Sequence, residues 1–424
     1  MKITIHRGTH QIGGSCVEIS TDTTRIILDV GLPLNDGEET KSPKRLRSKQ
    51  PLPDGLAPQV DGLFSSGRKI DAIFLSHVHS DHGGLLAHTE ASIPIHCTQG
   101  TSKMMMAASI YAGQTEVPRT RIKTLKPKVP VMVGDIQVTA YPVDHSAFDG
   151  VALLVEANGT RALYSGDLRM HGRKPGMAQQ LIQAVAAKGV DALIMEGTHF
   201  SGSRAPGRAE KELEEDIVDD IQSASGLVLA SFSPMHVDRL VTFYKAARRC
   251  NRILAVDHYA AFVLHLIASQ ARIPKPQAEN RIRVFLPKAQ RKLPKIDRLF
   301  AHSHITLAEI LANPRDYVML FRSSMVGTDF SGQLPERVRC IYSYWSGYLK
   351  QPEWEATRAK VKEVGGDFQV RHSSGHIHAP DIVRFVEAIK PRLVIPIHTT
   401  NPEEFAKHLQ NVKILEDKQG FGIE

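Results

Sequence analysis

The sequence predicts an α/β protein built of packed sheets and interrupted by a second α/β unit, and three observations carry that expectation. Short apolar runs separated by turn residues fill the N-terminal part, helix and strand alternation begins at about Arg208, and the strand-rich style returns near residue 360. Each element is apolar on one face and must bury it against another layer, so each stretch needs a core.

Taken in order, strands are predicted over Lys2 to His6, Cys16 to Ile19, Arg25 to Asp29, Asp71 to Leu75, Ile136 to Tyr141, Val151 to Glu156, Arg161 to Tyr164 and Asp191 to Met195. Gly13-Gly14, Gly31, Asn158-Gly159 and Gly166 punctuate them. With few helices between, they suggest packed sheets and not a doubly wound parallel sheet. Residues 32 to 70, rich in Pro, Gly, Lys and Arg, read as a surface loop. Leu213, Ile217 and Ile221 recur every fourth position on an acidic segment, which marks an amphipathic helix. Gly226 to Ala230 is a buried strand leading into Ser233-Pro234, and Val237, Leu240, Val241 and Tyr244 mark the next helix. Phe368 to Val370 and Arg392 to Ile397 are strands flanking a helix over Asp381 to Ile389, and a last helix runs from Pro402 to Leu409. The domain division read from this pattern is 1–200, 201–358 and 359–424.

A chain of 424 residues with 42% hydrophobic content can form two cores, or one core interrupted by another. It has no stretch of about 18 consecutive apolar residues, which argues against a transmembrane helix and a membrane partner. The start alternates like a first strand and not like a secretion signal, so a cytoplasmic location is expected. Cys16, Cys97, Cys250 and Cys340 show no C-x-x-C spacing and read as packing residues. Lys and Arg number 53 against 45 for Asp and Glu, a net charge of +8 that favours a polyanionic partner. The basic residues cluster at Lys44 to Arg47, Arg119 to Lys128, Arg169 to Lys174, Arg248 to Arg252 and Arg281 to Lys295.

The densest chemistry lies in Ser76-His77-Val78-His79-Ser80-Asp81-His82-Gly83-Gly84, at the end of an apolar strand. Imidazole and carboxylate suit divalent metals, and a catalytic site leaves one position open for water. His77 and His79 can face one ion together. Asp81 and His82 are adjacent and must diverge, so they suit a second ion nearby. Such a pair needs a bridging carboxylate and further histidines, and His145, Asp167 and His398 each follow an apolar strand. Asp29, ending another strand, reads as an acceptor that fixes a ligating imidazole.

The full H-x-H-x-D-H pattern of His77 to His82 resembles the metallo-β-lactamase superfamily. The resemblance implies an αβ/βα sandwich with a dinuclear site at one edge, held by His77, His79, Asp81, His82, His145, Asp167 and His398, with Asp167 bridging. His398 lies 231 positions after Asp167, more than the sandwich needs, and a large insertion there is characteristic of the β-CASP nucleases, among them ribonuclease J. Three local motifs carry the narrower resemblance: Met195-Glu196-Gly197-Thr198-His199, His372-Ser373-Ser374-Gly375-His376 and Pro396-Ile397-His398. It implies a metallo-β-lactamase domain split into 1–200 and 359–424, with 201–358 as an inserted β-CASP α/β cap domain. Members with histidine at the position of His398 mostly act on RNA.

The stretch Ser231-Phe232-Ser233-Pro234-Met235-His236 leaves a buried strand, with Ser233 as N-cap and Pro234 at the first helical position, and so aims backbone amides at one spot. Helix N-termini bind phosphate, and ribonuclease J-like enzymes carry a similar stretch, so Ser233 and His236 are phosphate candidates, joined by Ser323, Ser324 and His376. His88, His96, His258, His302 and His304 stay unassigned, and His199 is read as supporting.

The reaction expected is phosphodiester hydrolysis of RNA, single-stranded by expectation, using hydroxide generated by two divalent metal ions, zinc by default and manganese on the same donors. The catalytic set is Asp81, His376, Glu196 and Asp29, with His376 as general acid oriented by Glu196. The rivals are a DNA-directed β-CASP nuclease, a thioester or lactone hydrolase of the same fold, and a binding subunit without chemistry. Two departures from ribonuclease J stand out: the family's C-terminal dimerisation domain is not found before Glu424, and its glycine-rich loop is replaced by Phe321-Arg322-Ser323-Ser324-Met325. Oligomeric state and exo- or endonuclease action are therefore open.

Overall fold

The structure is a computed structural model and describes residues 1–34, 52–200, 208–288 and 293–423, so the basic run Lys44 to Arg47 lies outside the described residues. The chain divides into two compact units, residues 1–207 with 375–424 and residues 208–374. Strands β1 (Lys2–Arg7), β2 (Cys16–Ser20), β3 (Arg25–Leu28), β4 (Ala72–Phe74), β5 (Ile95–Cys97) and β6 (Ile122–Thr124) open the first unit. They are followed by β7 (Val131–Val133), β8 (Ile136–Pro142), β9 (Val151–Ala157), β10 (Thr160–Tyr164) and β11 (Ala192–Glu196). The second unit holds β12 (Val228–Ser231), β13 (Ile253–Asp257), β14 (Ile282–Phe285), β15 (His304–Ile305), β16 (Tyr317–Leu320), β17 (Arg339–Tyr342) and β18 (Asp367–Val370). The chain then returns to the first unit with β19 (Leu393–Ile397) and β20 (Gly420–Gly422).

In the first unit one sheet has the order β20-β1-β2-β3-β4-β5-β6 and the other β19-β11-β10-β9-β8-β7. Alternate residues of facing strands, such as Ile3, Ile5, Val17, Ile26 and Phe74 against Val138, Leu153, Tyr164, Ile194 and Ile395, form one buried core between them. The opposite face of the second sheet buries Leu154, Leu163 and Leu193 under the helices Gly176–Ala186 and Ala379–Ile389. The opposite face of the first sheet buries Ile27, Ile73 and Ile95 with Leu63, Leu85 and Leu86. This is an αβ/βα sandwich.

Strand direction places the chemistry. β8 and β10 are each antiparallel to β9, β10 is parallel to β11, and β11 to β19. Four strands of the second sheet therefore end at one rim, where the chain presents His145, Asp167, Glu196 and His398. The register Glu196↔Ile397 puts the carboxylate beside the residue that precedes His398.

The second unit is a parallel sheet of order β15-β14-β13-β16-β12-β17-β18 with its own core, including Leu229, Met319, Phe321, Cys340, Tyr342 and Trp354. No helix among the described residues is long and apolar enough to cross a membrane.

Three features differ from the sequence reading. The sequence closes the insertion at 358, whereas β18 pairs in parallel with β17 over Arg339↔Asp367 to Tyr342↔Val370, so this strand belongs to the second unit's sheet. Four residues, three half-buried and Val370 exposed, carry no local sign of which sheet they join. The described part of the expected surface loop buries Val60, Leu63 and Ile70, so three apolar residues among many polar ones anchor it to the core. The helices Gln99–Tyr111 and Gly176–Ala186 also add layers that the first stretch did not announce.

Candidate metal centre

The H-x-H-x-D-H segment follows β4 and turns at once into a single helical turn, Ser80–Gly83. The loops before β2 and after β3 hold that turn in place: Ser15 N–H donates to the Asp81 carbonyl at 3.1 Å, Val30 N–H to the His82 carbonyl at 2.7 Å and Leu32 N–H to the Ser80 carbonyl at 2.9 Å. A Cβ on Gly31 would lie 1.7 Å from the Asp81 carbonyl oxygen, so only glycine permits this approach.

The side chains gather into three groups whose donor atoms lie within 4.8 Å of one another: His77, His79, His145 and Asp167; Asp81, His82, Asp167 and His398; and Asp167, Glu196, His376 and His398. Asp167 is common to all three. His145 Nε2 lies 3.1 Å from His79 Nδ1, His398 Nε2 3.2 Å from Asp81 Oδ2, and His82 Nε2 3.1 Å from Asp167 Oδ2.

Whether these residues suit a metal is tested by their unmet needs. His77 Nε2 and Asp167 Oδ1 are buried with no hydrogen-bond partner, a costly state for polar atoms unless a ligand completes them. Burial, aided by neighbouring imidazoles, holds His77 and His145 well below the ordinary histidine range, so both are neutral and offer lone pairs. Against the pull of burial, the imidazoles of His398 and His82 hold the Asp167 carboxyl well below its usual range. Neutral His77 and His145 beside a buried carboxylate are donors that a divalent cation requires, whereas Asp167 and Asp29, against the pull of burial, hold His82 well above the ordinary histidine range, so a cation would take the place of the proton on that ring.

Other groups aim the donors. Asp29, itself at φ 60°, takes His82 Nδ1–H at 2.7 Å, the Ser76 amide at 2.7 Å, the Ser76 hydroxyl at 2.6 Å and the Tyr164 hydroxyl at 2.8 Å. His145 Nδ1–H donates to the Gly375 carbonyl at 2.5 Å, which turns Nε2 towards the centre. Glu196 accepts the Leu168 amide at 3.0 Å on one oxygen and faces His376 Nδ1 at 3.1 Å with the other. Burial acts to lower His376, but Glu196 and Asp167 outweigh it and raise it to about 9.

Sequence reasoning missed Thr198, whose hydroxyl lies 2.9 Å from His398 Nδ1 and 3.2 Å from His376 Nδ1. It also missed Tyr164 as a donor to Asp29. The signals were present, since Tyr164 ends the strand that leads to Asp167 and Thr198 follows the strand that ends in Glu196, but a threonine or tyrosine is common at such places. His199 stacks on His378 with ring centroids 4.8 Å apart, and His171 meets His378 at 4.6 Å with the rings tilted by 53°, outside the three donor groups. Unassigned His96 packs on Phe74.

The phosphate candidates are split between the units: His376 is at the centre, while Ser233, His236, Ser323 and Ser324 belong to the second unit. The expected cap needs correcting. The helix is Val237–Arg249 with His236 at its N-cap, and Ser233 closes a turn before it, taking the Met235 amide on its hydroxyl at 3.3 Å and the His236 amide on its carbonyl at 2.9 Å. Local hydroxyl-to-backbone bonding has displaced the cap. Ser324 precedes a single turn, Met325–Thr328, and is exposed.

Residues 50–224 match the model of the beta-lactamase superfamily domain, and residues 367–417 that of the Zn-dependent metallo-hydrolase RNA specificity domain. The chain is similar to an RNase J-like protein of Methanocaldococcus jannaschii, 23% identical over 66% of this chain and 65% of that protein. It is also similar to ribonuclease J of Helicobacter pylori strain 26695, 21% identical over 94% of this chain and 56% of the relative. Transcription termination factor FttA of Methanothermobacter thermautotrophicus is 23% identical over 55% of this chain and 37% of its own. The chain thus spans from about a third to two thirds of the length of these relatives. A crystal structure of a protein of unknown function from Enterococcus faecalis V583 superposes with a TM-score of 0.77, at 21% identity, over 99% of both chains, and shares the fold. The chain carries a beta-lactamase superfamily domain and a Zn-dependent metallo-hydrolase RNA specificity domain, and it is similar to proteins of the ribonuclease J-like group.

Proposed function

We propose that this protein is a metal-dependent phosphodiester hydrolase acting on RNA, with the first unit as its metallo-β-lactamase domain and the second as a β-CASP cap. The observation that carries the reading is Asp167 shared among three donor groups, with the Glu196 and His376 pair in the third. The RNA specificity match over 367–417 supports RNA as the polymer.

His77, His79 and His145 would hold one ion, Asp81, His82 and His398 a second, and Asp167 would bridge them. Nitrogen and oxygen donors without thiolate suit zinc and also manganese. Bound there, such ions would make water acidic enough to supply hydroxide at neutral pH and would offset charge developing at phosphorus. The chain's own groups do the rest. Asp29 keeps the His82 ring in one tautomer and orientation, and the Gly375 carbonyl does the same for His145. His376, held by Glu196, supplies the proton that the leaving oxygen needs, while Ser233, His236, Ser323 and Ser324 are proposed to contact substrate phosphates.

Purified protein given RNA and DNA oligonucleotides of matched sequence, labelled at either end, with and without chelator, tests the reading. Chelator-sensitive cleavage of RNA is expected. Mononucleotides from 5′-phosphorylated RNA would indicate exonuclease action and internal fragments endonuclease action. Cleavage of DNA alone, or of neither polymer, would overturn it.

A further inference from the structure

The second unit carries an aromatic cavity whose rings have no part in the hydrolytic reading, although Ser323 on its wall is one of the phosphate candidates. It lies at the carboxyl ends of β16, β12 and β17, three neighbouring parallel strands, has a volume of about 330 Å³, and is lined by Arg322, Ser323, Tyr342, Tyr344, Tyr348 and Trp354 among others. Parallel sheets bind ligands at this end of their strands, and the volume falls in the range of small-ligand sites, about 300–1,000 Å³. Arg322 at its wall is ion-paired with Asp257 from the end of β13, which fixes the guanidinium.

Beside the cavity, two aromatic rings face solvent. Trp345 is 60% exposed and Tyr348 is 46% exposed, whereas Trp354, the other tryptophan of the chain, is 7% exposed. The Trp345 and Tyr348 rings stand at 89° with centroids 5.4 Å apart. The exposed indole is held, not loose. Its ring lies over Gly347, where a Cβ would come within 2.2 Å of it, and the Trp345 carbonyl accepts the Tyr342 hydroxyl at 2.9 Å. Glycine at 347 is thus what lets the ring lie flat on the turn. Lys350 is exposed at the end of the same turn, Ser346–Lys350.

A preformed π-face bordered by lysine, arginine and hydroxyls has the chemistry for an unpaired nucleobase with its phosphate. The chain's +8 charge favours a polyanion over a cationic partner. We propose that Trp345 and Tyr348, with the cavity beside them, form a base-stacking subsite for single-stranded RNA. This rests on the RNA reading above and adds where an unpaired base is held.

The test uses the full chain in chelator, so that RNA is bound and not cut. Unlabelled single-stranded RNA should quench the tryptophan fluorescence, and duplex RNA should not. Trp345→Ala with Tyr348→Ala should weaken binding of labelled single-stranded RNA about tenfold, Trp345→Phe should recover most of it, and thermal melting should match the parent. Parent-like affinity in the double variant would overturn the subsite while leaving the RNA reading intact. So would a change in mass by light scattering without loss of RNA affinity, which would make the rings a protein contact. Failure of the parent itself to bind any RNA would overturn both.

Discussion

Asp167 offers its carboxylate to three groups of donors, so the centre is a network of shared atoms and its variants should separate by role. Asp81→Ala removes a donor and should abolish cleavage through metal loss, seen as a lower metal content after dialysis. His376→Ala should leave metal content unchanged and slow single-turnover cleavage by about 10²–10⁴-fold, the range of general acid catalysis. Parent-like cleavage in both variants would refute these roles. Asp29 touches His82 and not the centre itself, so Asp29→Asn should lower metal affinity about 10–100-fold, measured by competition with a chelating dye. The residues that aim the donors were the hardest to see in advance. His77 to His82 announces itself by density, but Thr198 and Tyr164 act through one hydroxyl each, and only the three-dimensional meeting of strands shows what that hydroxyl reaches.

At the scale of elements, the strands ending in His145, Asp167, Glu196 and His398 were legible because each is a buried apolar run stopped by a polar residue. The three-residue strands β5, β6 and β7 were not, being too short to show a period, and β18 joined a sheet that its four residues do not specify. The helix over Ser233 began later than its sequence suggested because a serine hydroxyl can serve a turn as readily as a cap. One strand pair carries a measurable electrostatic contribution. Glu18 on β2 accepts Arg25 Nε at 3.0 Å and Nη2 at 2.8 Å from β3, and lies 3.0 Å from His6 Nε2. Burial works to raise the Glu18 carboxyl, but the hydrogen bonds of His6 and Arg25 outweigh it and bring it to about 2, from an ordinary value of 4.5. A carboxyl lowered by folding stabilises the native state above its unfolded value, and that stabilisation, about 3 kcal/mol, is lost as pH falls from about 4.5 through about 2. Glu18→Gln should therefore be less stable than the parent at pH 7 by denaturant unfolding, with the gap closing across that window. A gap that stays constant to pH 2 would contradict the assignment.

At the scale of the molecule, every donor of the centre lies in the first unit, and the second has its own core. Chelation should therefore lower hydrogen-exchange protection in 1–200 and 375–424 much more than in 208–374. Binding of metal at 100 times its Kd contributes about 2.7 kcal/mol to the state that holds it. Equal loss in both units would show that the centre supports the whole chain as one body.

The central claim is that the centre around Asp167 cuts RNA with bound metal. Its most direct measurement is a titration of metal-free protein with zinc or manganese while cleavage of single-stranded RNA is followed. The rate should rise to a plateau at two ions per chain, and Asp167→Asn should show no rise at the same ion concentrations. Cleavage by the metal-free protein, or by Asp167→Asn at the parent rate, would contradict the claim.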